Sequence, residues 1–495
     1  VFLRNLGIFG WKEADENLIL ASLLTGDSLL LIGPHGSSKT HVFNKMGQAL
    51  SVKHLVYDAS KSLFEDVLGF PNVEKLKHGL VEYVPSPVTI WDKEFVLIDE
   101  LNRAIPELQS KWLEVIRSRK IMGFETAVKW VWAAMNPISY SATNALDAAL
   151  IGRFAFFVYP PDVLSMSEED RINVALHING EDAPSLANWT DGTTAYTVQE
   201  ESVVEVGENV QALLRSAGRH FLQLRGQMST LAEFLAKFAD LLVRETKGEV
   251  ALDGRRLGFI HRNLIANRAI ELAKAELFGA PLPDFVHSAK YVVQSSIPVG
   301  LNGDESLNRE EAAHRFEICF DLLSDYFRTD GELQTVNLIY ELFTTRDLMR
   351  KAELLLTCNL GELALSKAWA DLMADDRDIT LLAYTALQVE ARRPGTVPQE
   401  LMASLSVKVD IGNLSTGCID RLQDDDVEYV HEVEQLLEQD KDLGKLVAFQ
   451  RVSELVETGH ISLDAIERTR QRIEQDLQTF ESLIQAHSQE KGAAA

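Results

Sequence analysis

Up to Pro161, short apolar runs alternate with stretches whose apolar positions recur every three or four residues. Five runs read as strands: "DSLLLIG" (27–33), "KHLVYDA" (53–59), "EFVLIDE" (94–100), "VKWVWAAMN" (128–136) and "FAFFVYPP" (154–161). Most are apolar almost throughout instead of alternating, as strands covered on both faces must be. With helical pattern between them, they predict a parallel sheet inside an α/β layer. Polar tips "DE" and "N" fall at the C-terminal ends, where open α/β sheets hold ligands.

Beyond Pro160-Pro161 the pattern changes to helical period. "ENVQALLRSAGRHFLQLRGQM", "STLAEFLAKFADLLVRETKG" and "RRLGFIHRNLIANRAIELAKAELFG" predict an all-α second layer. Residues 181–201 are rich in turn formers without a period and read as an inserted loop. A second break, "PVGLNGDESLNREE", precedes another mostly helical region. The expected domains are therefore 1–162 (α/β core), 163–302 (helical) and 303–495 (mostly helical). Near the end, Ile466, Ile473, Leu477, Phe480 and Ile484 form an apolar stripe. A hairpin with the segment "DVEYVHEVEQLLEQ" would bury it.

Composition narrows the class. Apolar residues make up 46% and charged ones 25%, and no apolar stretch approaches the ~20 residues a bilayer span requires, so no membrane span and a cytoplasmic location are expected. The N-terminus lacks the basic, apolar and small order of a signal peptide, although an initial Val leaves the natural start open. Three separated cysteines, Cys319, Cys358 and Cys418, read as reduced thiols. A formal charge of −26 argues against direct nucleic-acid contact and favours protein partners.

The candidate chemistry lies at the strand ends. After the first strand comes Gly33-Pro34-His35-Gly36-Ser37-Ser38-Lys39-Thr40. It fits the phosphate-binding loop G-x-x-x-x-G-K-[ST] except that Ser38 stands where the second glycine belongs. Serine is small, and Gly33 and Gly36 remain to shape the turn. Backbone N–H groups of such a loop converge on phosphate at a helix start, Lys39 would reach the β- and γ-phosphates, and the Thr40 hydroxyl would ligate Mg²⁺. Two predicted strands later, "FVLIDE" ends in Asp99-Glu100. Side chains alternate along a strand, so one acid can serve Mg²⁺ and the other the water that attacks a nucleoside triphosphate. Asn136 ends the next strand, suited to hold that water. Arg153 follows the short helix of "NALDAALIGRF", and Arg255 and Arg256 open a helix of the second layer.

This order resembles the AAA+ ATPases, and "DASKSLFEDVLGF", "SPVTIWDKEFVLIDELNRAIPELQSKWLEVI", "AAMNP" and "LDAALIGRF" resemble the MoxR family within them. The resemblance covers residues 1–302 and fades beyond. It implies an AAA+ core with a five-stranded parallel sheet, a helical lid, and a homo-hexameric ring with ATP and Mg²⁺ between subunits. By position, Glu100 would be the catalytic acid, Asp99 and Thr40 the metal side, Asn136 sensor 1 and Arg153 an arginine finger acting on the neighbouring subunit. Arg255 would be sensor 2, with Arg256 as the alternative if the register shifts by one. The stretches 70–87 and 117–130 correspond to the family's insertion and hairpin facing the ring pore. MoxR relatives often act with a von Willebrand factor A domain partner, so the implied function is ATP-driven remodelling or activation of a protein client, with 303–495 as the partner-binding region. Two other functions are weighed: a nucleotide-gated scaffold with little hydrolysis, which only Ser38 favours, and a motor subunit of a restriction-type DNA-processing complex, which the acidic charge disfavours.

Overall fold

The computed structural model describes residues 2–61, 64–138, 140, 144–181, 200–250, 252–299, 301, 309–373, 379–398, 401–402 and 427–493. The predicted loop 181–201 lies almost wholly outside them, as does Cys418. Packing divides the chain into two compact units, 1–333 and 334–495.

Each of the five predicted strands forms within its expected stretch: β1 (Leu29–Ile32), β2 (His54–Asp58), β3 (Phe95–Asp99), β4 (Trp130–Met135) and β5 (Phe156–Val158). They build one sheet in the order β2-β3-β4-β1-β5, parallel throughout. The continuous apolar runs follow from this architecture, because helices cover both faces. On one face, α2 (Lys39–Ala49) lays Phe43 against Phe95 at 4.4 Å, and Phe95 meets Trp132 edge-on at 4.8 Å. Full burial of such side chains stabilises the layer by ~1.5–3 kcal/mol each. The register matters for chemistry. Asp58 pairs with Asp99, and Ile98 with Ala133, so the acidic end of β3 and Asn136 beyond β4 emerge on the same sheet edge.

Two short antiparallel hairpins rise from this layer. Phe70–Pro71 pairs with Tyr83–Val84, and Lys120–Ile121 with Phe124–Glu125 at the end of α3 (Pro106–Ser118). Tyr83, Trp91 and Phe124 cluster between them, while Phe70, Val73, Leu80 and Met122 are more than half exposed.

The helical layer of the first unit includes α5 (Glu200–Gln227), α6 (Leu231–Glu245), α7 (Gly254–Phe278) and α8 (Phe285–Gln294), chain-order successors of α1 (Glu13–Thr25) and the short α4 (Ala148–Ile151). Several polar ties bind α7 to the sheet layer. Arg262 grips Asp27 with two bonds of 2.5 and 2.6 Å, Lys274 meets buried Glu16 at 2.8 Å, and buried Asn263 donates to the Ala155 carbonyl. α5 crosses the end of α2 so closely that a Cβ on Gly207 would lie 2.2 Å from the Ala49 carbonyl oxygen, which only glycine permits.

The packing boundary after Leu333 falls later than the break read at 302/303. Helix α9 (Arg309–Leu323) inserts Phe316 and Phe320 against Phe234 and Phe238 of α6, with Phe327 completing the aromatic cluster. A polar linker marks where the chain turns, whereas the partner of an apolar face is chosen by packing.

The second unit is helical among its described residues. The apolar stripe predicted near the end lies on α11 (Leu463–Ala493), where Ile466, Ile473 and Phe480 are buried. Its main partner is α10 (Asp442–Glu457), joined to it by a short turn, and the expected segment Val427–Leu437 is secondary. Sequential helices joined by a short connection pack antiparallel first.

Candidate active site

The loop between β1 and α2 closes around its own lysine. Lys39, buried, donates from Nζ to the carbonyls of Gly33 at 2.6 Å and Pro34 at 2.7 Å, with the Ser37 hydroxyl 3.4 Å away. Burial pushes the Lys39 ammonium below its usual pKa, and the nearby Asp99 and Glu100 carboxylates pull it back up. A cation held on neutral carbonyls is poised to exchange them for phosphate oxygens, a stronger charge-assisted contact.

The departure at Ser38 is resolved by backbone conformation. Its φ is +59°, the left-handed region that the consensus glycine adopts without strain. Its hydroxyl accepts a hydrogen bond from Trp11 Nε1 at 3.2 Å. Gly36, at φ +77°, has open space where a Cβ would stand, and a Cβ on Gly33 would crowd the Ser37 hydroxyl and Pro160. The turn thus makes conformational demands at Gly36 and Ser38 and a spatial demand at Gly33. Serine meets its own at a cost.

The two residues expected on the metal side meet. Thr40 Oγ1 donates to Asp99 Oδ2 at 2.8 Å, bringing a hydroxyl and a carboxylate together across the end of β3. Both are hard oxygen ligands, and two protein groups leave room for phosphate and water oxygens, which is how Mg²⁺ is commonly held. No group of three or more His, Cys, Asp or Glu side chains suited to a metal occurs among the described residues. Glu100 follows in a left-handed conformation, φ +55°, with its backbone N–H donating to Asp99 Oδ1 at 2.8 Å. Ser60 donates to Glu100 Oε2 at 3.2 Å, and Arg103 approaches the same oxygen at 3.6 Å. Buried Asn136 directs Nδ2 to His35 Nε2 at 3.3 Å, while its carbonyl accepts from Asn102.

The arginines divide by one residue of helix. Arg256 is buried. It donates to the carbonyls of Phe154 at 2.7 Å, Ser296 at 3.0 Å and Ile151 at 3.4 Å, lies over the Phe157 ring, and burial pushes its pKa down to about 10. A guanidinium so enclosed ties α7 to the segment leading into β5, with three of its five N–H groups committed to carbonyls. Burial sets Arg256, the alternative for the sensor, apart from its exposed neighbour. Arg255 is exposed and reaches the Gly152 carbonyl at 3.4 Å, beside Arg153. Burial, with Arg255 and Arg117 nearby, lowers the Arg153 pKa, and Arg153 Nε has no hydrogen-bond partner among the described residues. Arg153, Arg255 and Arg117 form one cationic cluster.

Sequence reading brings Gly33 to Thr40, Asp99, Glu100 and Asn136 to one place, as the sheet does. It missed Trp11, Ser60 and Arg103. Arg103 stood inside "LNRA" with no role attached, and only its contacts distinguish it.

A phosphate loop opening a helix at the end of a central parallel strand, with a paired acid on the strand one removed, defines a P-loop nucleotide-binding domain. Within that class, residues 28–156 match the model of the ATPase family associated with various cellular activities (AAA), so the chain carries an AAA-family ATPase domain. No curated protein matches the chain. Among solved structures, a "putative ATPase" from Cytophaga hutchinsonii is similar at 17% identity over 64% of this chain and 92% of that one, with a TM-score of 0.42. A full-length MCM homologue from Methanopyrus kandleri is similar at 11% identity over 60% and 59%, with a TM-score of 0.33.

Proposed function

We propose that the chain is a Mg²⁺-dependent ATP hydrolase of MoxR type, working in the cytoplasm as a homo-hexameric ring that remodels or activates a protein client, together with a von Willebrand factor A domain partner. The observation that carries the hydrolase is the meeting of Thr40 with Asp99 at 2.8 Å beside buried Lys39 and Glu100. Lys39 and the loop amides bind the phosphates, and Thr40 and Asp99 would hold Mg²⁺, which would supply positive charge to the phosphates. Glu100 accepts the proton of the water whose oxygen attacks the γ-phosphorus. The bond to the β–γ bridging oxygen breaks, and ADP leaves with that electron pair.

The ring reading is supported by the Arg153 cluster, where Arg153, with its Nε unpartnered among the described residues, stands beside Arg255 and Arg117 and is suited to charge supplied from a neighbouring subunit. Client engagement is supported by the large apolar side chains that the two hairpins leave more than half exposed, Phe70, Val73, Leu80 and Met122 among them. The decisive measurement is nucleotide binding and turnover. Wild-type protein should bind labelled ATP at millimolar Mg²⁺, Lys39→Ala should lose binding, and Glu100→Gln should bind and retain ATP without turnover. Failure of the wild type to bind would return the loop to a polar turn.

A further inference from the structure

The phosphate loop, the end of β4 and the end of β3 are joined by a run of contacts that the hydrolase reading does not use. His35 Nε2 lies 3.1 Å from Arg103 Nη2 and 3.3 Å from Asn136 Nδ2. A guanidinium has donors only, and an amide nitrogen donates as well. One ring nitrogen facing two donors is placed to accept through its lone pair. Arg103 also stands 3.6 Å from Glu100 Oε2, and its buried Nε has no hydrogen-bond partner among the described residues. The guanidinium is shared between an uncharged acceptor in the loop and the carboxylate that would take the water's proton.

We propose that His35 is a positioning residue that draws Arg103 off Glu100 when the γ-phosphate of ATP reaches Asn136. This rests on the hydrolase reading. As the Asn136 amide turns to a phosphate oxygen, the His35 lone pair is left to Arg103 alone, and the phosphate charge attracts the guanidinium through its unpartnered Nε. Glu100 is then freed from its ion pair with Arg103 only when nucleotide is present. Without nucleotide, the chain Asn136–His35–Arg103–Glu100 keeps the site latched.

Two measurements test this, one of them independent of hydrolysis. In nucleotide-free protein with ¹⁵N-labelled histidine rings, the His35 signal, assigned by its loss in His35→Gln, should report a neutral ring protonated at Nδ1 at mildly alkaline pH. Protonation at Nε2 would overturn the proposal. In turnover, His35→Ala should slow hydrolysis ~10-fold with MgATP affinity within ~3-fold, a split between chemistry and binding that lost folding does not produce. In an Arg103→Ala background the same change should alter turnover less than ~2-fold, because the latch is already gone. His35→Gln, whose amide oxygen can accept from Arg103, should recover most of the rate. Equal losses in both backgrounds would overturn the latch. A wild type that binds no MgATP would count against the hydrolase reading, and the ring tautomer would still judge the contact.

Discussion

At Ser38 the usual ranking of glycine and alanine inverts. A left-handed residue other than glycine costs ~1–2 kcal/mol, and the Ser38 hydroxyl recovers part of this through Trp11. Ser38→Gly should therefore be more stable than Ser38→Ala by ~1 kcal/mol in urea denaturation, the reverse of their order inside a helix. Equal stabilities would mean that the backbone relaxes out of the left-handed region. Arg255 and Arg256 offer a second contrast. Replacing Arg256 by Met strands three buried carbonyls and should cost ~2–4 kcal/mol. Arg255→Ala should stay within ~0.5 kcal/mol of wild type while slowing hydrolysis. Denaturant midpoints measured beside turnover separate the two arginines, which adjacent positions in a sequence cannot.

At the scale of elements, the close crossing of α5 over α2 makes Gly207 a sensitive point. Alanine is the better helix former, yet its methyl would meet the Ala49 backbone, which cannot rotate away as a side chain can. Gly207→Ala should thus destabilise by ~1–3 kcal/mol despite the propensity gain. Helix α9 supports a bolder expectation. A chain ending at Leu333 keeps Phe316, Phe320 and Phe327 over α6, and it should remain soluble and hydrolyse ATP. One ending at residue 302 exposes that aromatic face and should aggregate or melt early. If the shorter chain proves as stable and active, α9 is an accessory and the break at 302 is the functional boundary.

For the whole molecule, the ring reading turns on whether Arg153 completes a site in another copy. Loss of an arginine supplied in trans typically slows related phosphoryl transfers by ~10³-fold or more while sparing binding. Arg153→Ala protein, with a sound loop, mixed with Lys39→Ala protein, with a sound arginine, should regain activity that neither has alone. Co-assembly without recovery would sink the trans assignment, and an active Arg153→Ala ring would remove the arginine from catalysis. Among the described residues no helix is long and apolar enough to cross a membrane, and a charge of −26 opposes direct DNA binding, so a gel shift at low salt should show none.

The sequence by itself determined the five strands, the loop and the acids. Burial on both faces demands continuous apolar runs, and a phosphate loop needs specific residues at fixed local spacing, so both are written within a few positions of each other. Tertiary structure decided what depends on distant partners. The strand order that sets Asp99 and Asn136 on one edge, the capture of α9 by the first unit, and the bridging of Asn136 and Arg103 by His35 all join residues far apart in the chain. The choice between Arg255 and Arg256 is a matter of helix phase: one residue is ~100° of rotation, enough to turn one guanidinium into the core and the other toward solvent, and that phase is set by what the helix packs against.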